Sequence, residues 1–122
     1  FRDAMAEAGL PVADELVTQG LFSYRSGLDA AEILLGLDPR PTAVFASNDD
    51  MAAGAVAIAH RMGLDVPGDL TVAGFDDAAL ATTIWPELTT VHQPITDMAS
   101  HAVELLVRQI RGESTAQVTC GA

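Results

Sequence analysis

The stretch "TAVFASNDDMAAG", residues 42 to 54, decides the fold of this chain because two residue patterns meet within it. Its first part is apolar and β-branched without alternation, which is typical of a strand buried on both faces of a parallel sheet. A short polar run follows, and then small and apolar residues begin a helix. Strand, polar turn and helix in this order predict a β-α unit. The polar turn is then either a helix cap or one wall of a binding site.

The same alternation continues on both sides of this stretch. We expect strands over 15–20, 42–46, 70–75 and 89–94, helices over 1–8, 26–35, 49–62 and 95–111, and a short helical or irregular piece over 79–88. Ser26 is the predicted cap of the second helix. Because the first helical stripe is already running at residue 1, we expect the chain to be cut inside or just before that helix. Short β-α-β-α-β connections predict an α/β fold with a parallel sheet, right-handed crossovers and helices on both faces.

Composition limits the functions that the chain can have. Its 122 residues are 49% hydrophobic, which is enough for one domain with a core. Seventeen acidic residues against six basic ones give a net charge of −11, so we do not expect this part to bind nucleic acid by itself. The absence of Lys excludes a P-loop Lys and a Schiff base. The single cysteine, Cys120, is interpreted as an incidental thiol, and His60, His92 and His101 are too dispersed for a metal site.

Polar or aromatic residues follow each predicted strand at its carboxyl end, where open parallel sheets bind their ligands. They are Phe22 and Ser23; Ser47, Asn48 and Asp49; Asp76 and Asp77; and His92 and Gln93. Amide and carboxylate groups beside an aromatic ring suit a ligand that is rich in hydroxyl groups, because each hydroxyl both donates and accepts. No activated nucleophile stands among them. The set therefore predicts recognition rather than catalysis.

A purely structural interpretation stays open for each of these residues. Asn48 and Asp49 are also ordinary helix caps, and Asp49 is expected mainly to cap and orient. The pair Asp76 and Asp77 also fits a solvated turn, with Asp77 capping the next turn. Phe22 also fits ordinary packing, and Trp85, next to Pro86, is more typical of a core or an interface than of a ligand platform.

Three motifs together carry a resemblance to a known family. The segments "RPTAVFASNDDMAAG", "GLDVPGDLTVAGFDD" and "PELTTVHQP", with their spacing, resemble the C-terminal effector-binding subdomain of the LacI/GalR family of bacterial transcription repressors. The resemblance covers residues 1–112 and leaves 113–122 as a tail. It implies a three-layer α/β/α subdomain of a fold like a type I periplasmic sugar-binding protein, in which two subdomains close over a small ligand. The other subdomain and the helix-turn-helix of the family lie outside this chain.

The resemblance also implies residue roles. The positions that match ligand contacts of the family are Phe22, Asn48, Asp76 and Gln93. The positions near its dimer interface are Ala53, Gly54 and Ile84, for which packing within the chain is the alternative. The family's ligand-binding Arg falls upstream of residue 1.

The function implied is that of a cytoplasmic, homodimeric regulator without enzymatic activity and without a cofactor. A sugar, or a related polyol or nucleoside, would shift subdomain closure and so change operator affinity through the missing DNA-binding part. One alternative is a periplasmic sugar-binding protein of an uptake system, which would need a signal peptide. Another is an enzyme or phosphorylation switch on a flavodoxin-like fold, but the chain lacks Lys and has "VTQG" where that switch needs an acidic pair.

Overall fold

The computed structural model describes residues 1–114, so Cys120 and most of the predicted tail lie outside the described residues. Its elements are the helices α1 (Arg2–Glu7), α2 (Tyr24–Leu35), α3 (Asp49–Arg61) and α4 (Ile95–Ile110), the strands β1 (Ala43–Phe45), β2 (Thr71–Asp76) and β3 (Thr89–His92), and 3₁₀ turns at Asp14–Leu16 and Ala79–Thr82. The chain forms two compact units, Phe1–Thr90 and a second that begins at Val91. Most of the predicted helices and strands are confirmed.

The sheet is built around one β-α-β crossover. Strand β1 pairs in parallel with β2, with Phe45 opposite Ala73, and the strand order is β1-β2-β3. The backbone N–H of Ala46 donates to the carbonyl oxygen of Ala73 at 2.8 Å, which extends the ladder beyond the last paired residue of β1. Because α3 connects two parallel neighbouring strands, the carboxyl ends of β1 and β2 meet at one edge of the sheet.

The core of the first unit lies around α3. Nine of the 13 residues of α3 are buried, and Ile58 and Leu70 are among the largest fully buried side chains. Helix α2 approaches α3 through two glycines. A Cβ at Gly54 would lie 2.7 Å from the carbonyl oxygen of Tyr24, and one at Gly27 would lie 2.5 Å from that of Met51. The two backbones can therefore pack this closely only if neither position carries a side chain.

The predicted strand over 15–20 is wrong. Asp14–Leu16 forms a 3₁₀ turn, closed by the N–H of Val17 donating to the carbonyl oxygen of Asp14 at 3.1 Å. Val17 has an extended backbone, with φ −125° and ψ 115°, yet the segment after it belongs to no strand. The residues favour extension, but a strand also needs hydrogen bonds to a neighbouring strand, and the sheet that the structure describes consists of β1, β2 and β3 without this segment.

Two further expectations need correction. The first residue of α2 is Tyr24, and its cap is Ser23, while Ser26 completes a capping box from inside the helix. The capping residue was misplaced because either serine fits the pattern. Strand β1 is not buried on both faces, since the Phe45 side chain is about half exposed and stacks on Phe1 with 6.1 Å between ring centroids.

Candidate functional site

Asn48 and Asp76 both lie where the chain leaves the paired part of β1 and β2. Phe45 lies opposite Ala73, and each of the two polar residues follows its own member of that pair by three positions. Both residues come at or just after the carboxyl end of a strand, and the two strands are neighbours. Asn48 and Asp76 therefore share the edge of the sheet where ligands of open parallel sheets bind.

Asn48 is a helix cap and a tether at once. Its Oδ1 accepts a hydrogen bond from the backbone N–H of Met51 at 3.0 Å, which caps α3. Its Nδ2 donates to the backbone carbonyl of Phe22 at 3.2 Å. The side chain is buried, so both bonds form where water competes little. The side-chain amide has two N–H donors and two acceptor lone pairs. The bond from Met51 uses one lone pair and the bond to Phe22 uses one donor, so one donor and one lone pair are left.

Phe22 sits on a loop that is fixed from both sides. Its φ is +53°, in the left-handed region that a bulky residue seldom occupies, while its ring is largely exposed. Besides the bond from Asn48, the Ser26 Oγ accepts the N–H of Leu21 at 2.9 Å and donates to the carbonyl of Ser23 at 2.9 Å. The exposed ring of Phe22 thus stands on a loop that is held by three hydrogen bonds, one of them from the amide of Asn48.

Asp76 and Asp77 form a second turn with left-handed backbone. Their φ values are +114° and +56°. The next residue, Ala78, is the N-cap of the following 3₁₀ turn, and no side-chain hydrogen bond caps that turn. The prediction that Asp77 caps it is therefore wrong. The reason is that Ala78, one residue later, already occupies the N-cap position, with an extended backbone.

The side chain of Asp49 is hydrogen-bonded to the backbone directly after this turn. Its side chain is 1% exposed. Its Oδ2 accepts the backbone N–H of Ala78 at 2.7 Å, and its Oδ1 accepts the hydroxyl of Thr90 at 2.6 Å. The same hydroxyl accepts the N–H of Asp77 at 3.3 Å. A Cβ at Gly74 would collide with Asp49 Oδ1, so β2 needs glycine there. The expected orienting role of Asp49 has a physical basis in these contacts.

The other sequence-predicted residues lie in different surroundings. Gln93 belongs to the second unit, where its carbonyl oxygen accepts the N–H of Ile95 at 2.8 Å. Ala53 and Gly54 are buried in the first unit, Gly54 against the backbone of α2. Ile84 packs at the edge of the core. Packing within the chain thus accounts for the burial of Gly54, and the dimer interface stays a prediction. Trp85 is among the most exposed side chains, which does not fit a place in the core of this chain.

A cavity of about 320 Å³ is lined by other residues than the predicted ligand contacts. It runs along β1 and is lined mostly by apolar side chains, among them Phe1, Leu16, Val17 and Phe45. Neither Phe22 nor Asn48 nor Asp76 lines it. The carboxyl edge of the sheet carries the polar groups that could hold a hydroxylated ligand, whereas this cavity is chiefly a hydrophobic space beside β1.

Sequence reasoning missed Thr90. It lies 41 residues from Asp49 and sits within an ordinary β-branched strand pattern, so no local signal marks it. The buried state of Asp49 was also unexpected, although an acidic residue directly after the capping residue of a helix that is apolar all round is a weak sign of it. Within residues 1–114, no cluster of possible ligands is suited to a metal ion, and no helix combines the length and apolarity that a membrane span needs.

Comparison with known proteins agrees on one family. Residues 1–119 match the model of the periplasmic binding protein-like domain. Catabolite control protein A of Priestia megaterium is 41% identical over 93% of this chain and 34% of its own length. The ribose operon repressor of Escherichia coli is 40% identical over 90% of this chain and 33% of its own length. The chain therefore spans about a third of these curated relatives.

Solved structures give the same result. The transcriptional regulator CelR in complex with cellobiose superposes with a TM-score of 0.87 at 38% identity, over 96% of this chain and 36% of its own. A LacI-family regulatory protein from Chloroflexus aggregans reaches 0.86 at 37% identity, over 94% of this chain and 42% of its own. The predicted α/β fold of the periplasmic-binding-protein type is confirmed. The chain belongs to the family of periplasmic binding protein-like domains, and it resembles LacI-type transcriptional regulators in sequence and structure.

Proposed function

We propose that this chain is the effector-binding and dimerising part of a LacI-type transcriptional repressor. The effector is a sugar, or a related polyol or nucleoside, and it contacts Phe22, Asn48, Asp76 and Gln93. The chain has no enzymatic role and works in the cytoplasm as a homodimer, with Ala53, Gly54 and Ile84 near the dimer interface. Effector binding shifts the closure of two subdomains and so changes operator affinity.

The bond between Asn48 and the carbonyl of Phe22 is the observation that carries this proposal. It joins the backbone of Phe22, whose ring is exposed, to a buried amide at the carboxyl edge of the sheet. Asp76 is the last residue of the neighbouring strand β2, at the same edge of the sheet. An apolar face for the C–H side of a sugar ring and polar groups for its hydroxyls are what carbohydrate recognition needs.

The net charge supports the proposal that this chain binds the effector and that another part of the protein binds the operator. A net charge of −11 disfavours contact with a phosphate backbone. Operator binding therefore belongs to a segment beyond this chain, and the chain acts on it indirectly. The relatives named above are regulators, and two of them carry ribose or cellobiose in their names.

The test is sugar titration of the full-length protein by calorimetry, with D-ribose and cellobiose as probes. Asp76→Asn removes the carboxylate charge, and Asn48→Asp keeps an acceptor for the α3 cap but removes the amide donors. We expect each to weaken sugar binding by at least about tenfold, as the loss of a buried polar partner does. Asp50→Asn is the matched control, because Asp50 is exposed in the first turn of α3. The proposal fails if neither sugar binds the unmodified protein, or if both site variants bind like the control.

A further inference from the structure

Two adjacent residues at the start of α3 each hold one of the left-handed turns that carry predicted ligand contacts. Asn48 bonds the carbonyl of Phe22, and Asp49 bonds the N–H of Ala78, directly after the turn at 76 and 77. Left-handed backbone at residues other than glycine costs free energy and persists where surrounding contacts over-determine it. The contacts that fix the second turn therefore also support any site that uses Asp76.

The hydroxyl of Thr90 links the parts of this arrangement. It donates to Asp49 Oδ1 at 2.6 Å and accepts the N–H of Asp77 at 3.3 Å. Asp49 in turn reaches Ala78 through its other oxygen at 2.7 Å. The turn is thus bonded at two successive backbone N–H groups, one by Thr90 and one by Asp49. A carboxylate that is 1% exposed accepts both of its bonds in a region of low effective dielectric, which strengthens them.

We infer that Asp49 and Thr90 are positioning residues, which set the backbone of the turn at 76 and 77 and hence the direction of the Asp76 carboxylate. Neither residue needs to touch the effector. Asp49 is closed off by its contacts with Thr90, Ala78 and the glycine position at 74. The role of the turn in ligand binding rests on the proposed function, whereas the positioning itself is a property of the chain without ligand.

Variants of Thr90 test the inference without depending on any ligand. Thr90→Val removes the hydroxyl at nearly constant shape, Thr90→Ser retains it, and Thr89→Val changes a neighbouring exposed threonine. Hydrogen exchange of the full-length protein is measured at single amides. The amide of Ala78 reports on the turn, and that of Ala46, which donates to Ala73 in the sheet, reports on the core.

We expect Thr90→Val to speed exchange at Ala78 by at least about tenfold relative to Ala46, because the carboxylate of Asp49 is no longer fixed by its partner. Thr90→Ser should restore slow exchange, and Thr89→Val should leave both amides as they are. If exchange at Ala78 and Ala46 rises equally, Thr90 is a general stability residue and the inference is wrong. An unchanged rate at Ala78 in Thr90→Val overturns it as well.

Sugar binding separates the inference from the proposed function. If D-ribose or cellobiose binds the unmodified protein, Thr90→Val should raise its dissociation constant at least about tenfold, and Thr90→Ser should restore it. If neither sugar binds, the proposed function fails, while the exchange rates at Ala78 still decide whether Thr90 holds the turn. If a sugar binds Thr90→Val as well as the unmodified protein, the turn does not position a ligand contact.

Discussion

Helices α3 and α4 are both rich in apolar residues, yet they have opposite surroundings. Nine of the 13 residues of α3 are buried, and its small side chains allow close approach on more than one side. None of the 16 residues of α4 is buried in the part of the chain that the structure describes. The large exposed apolar side chains of α4 are Ile95, Met98, Val103, Leu106, Val107 and Ile110.

The difference shows what periodicity tells and what it leaves out. A helix that is small and apolar all round is predicted to lie inside a core, and α3 does so. A helix with one apolar stripe is predicted to form, but the stripe does not name the surface that it covers. Local structure thus follows from the pattern in both helices, whereas burial does not, since it depends on the elements that pack against each helix.

The largest test of this contrast is one substitution made in both helices. Ile58→Ala removes a buried side chain that is 2% exposed, and we expect it to lower the free energy of unfolding by about 2–5 kcal/mol. Ile110→Ala removes one that is 86% exposed, and we expect a loss of at most about 0.5 kcal/mol. Urea unfolding of the chain, followed by circular dichroism, measures both values.

Equal losses would break the comparison. They would mean that the apolar stripe of α4 is covered in solution by a surface outside the single chain. Repeating the unfolding at several protein concentrations identifies a second copy of the chain as that surface, since stability would then rise with concentration.

Adding volume tests the same contrast from the other side. Gly54→Ala places a methyl group 2.7 Å from backbone atoms of α2, so we expect a loss of about 1–3 kcal/mol in the free energy of unfolding. Ala99→Val enlarges an exposed position of α4, where only the lower helix propensity of valine acts, and the loss should stay below about 0.7 kcal/mol. Urea unfolding again measures both.

The dependence on protein concentration sharpens the meaning of Gly54. If its role is packing of α3 on α2 within one chain, the loss caused by Gly54→Ala is the same at every concentration. A loss that appears only at high concentration would instead place Gly54 in the predicted dimer contact, where stability is coupled to association.

The elements with strong local signals were predictable. The run of 42–46, the small-residue helix that ends before Gly63, and the strand that ends at Asp76 carry their structure in their own residues. The strand expected over 15–20 failed because extension needs a paired neighbour as well as suitable residues. The expected burial of β1 on both faces failed at Phe45 for a related reason. Burial on both faces requires elements packed on each side of the sheet, and composition alone does not predict where these lie.

The candidate site divides in the same way. Its edge could be predicted, because polar residues at the carboxyl ends of neighbouring parallel strands lie at one edge of the sheet, as Asn48 and Asp76 do. The contacts that hold its turns could not. The bond between Thr90 and Asp49 spans 41 residues and depends on side-chain directions that are set by tertiary packing. Roles carried by single distant pairs leave no periodic trace in a sequence.

The smallest expected effects concern two ion pairs, one on each helix. In the first, Nη1 of Arg61 in α3 lies 3.2 Å from Oε1 of Glu32 in α2. In the second, Nη2 of Arg108 lies 2.8 Å from Oε1 of Glu104, one turn earlier in α4. All four side chains are half exposed or more, so double-mutant cycles to Ala should give coupling energies of about 0.2–1 kcal/mol. Both couplings should shrink as salt is raised from 0.1 to about 1 M, where screening is nearly complete within a few ångströms.

The pair between α2 and α3 joins two elements of one core, so its coupling should appear in the free energy of unfolding. The pair within α4 supports only its own helix, and its coupling should appear chiefly in the helical content of α4. A coupling between Arg108 and Glu104 in global unfolding that exceeds that of Arg61 and Glu32 would show that α4 unfolds together with the core, and the contrast between the two helices would not extend to their energetics.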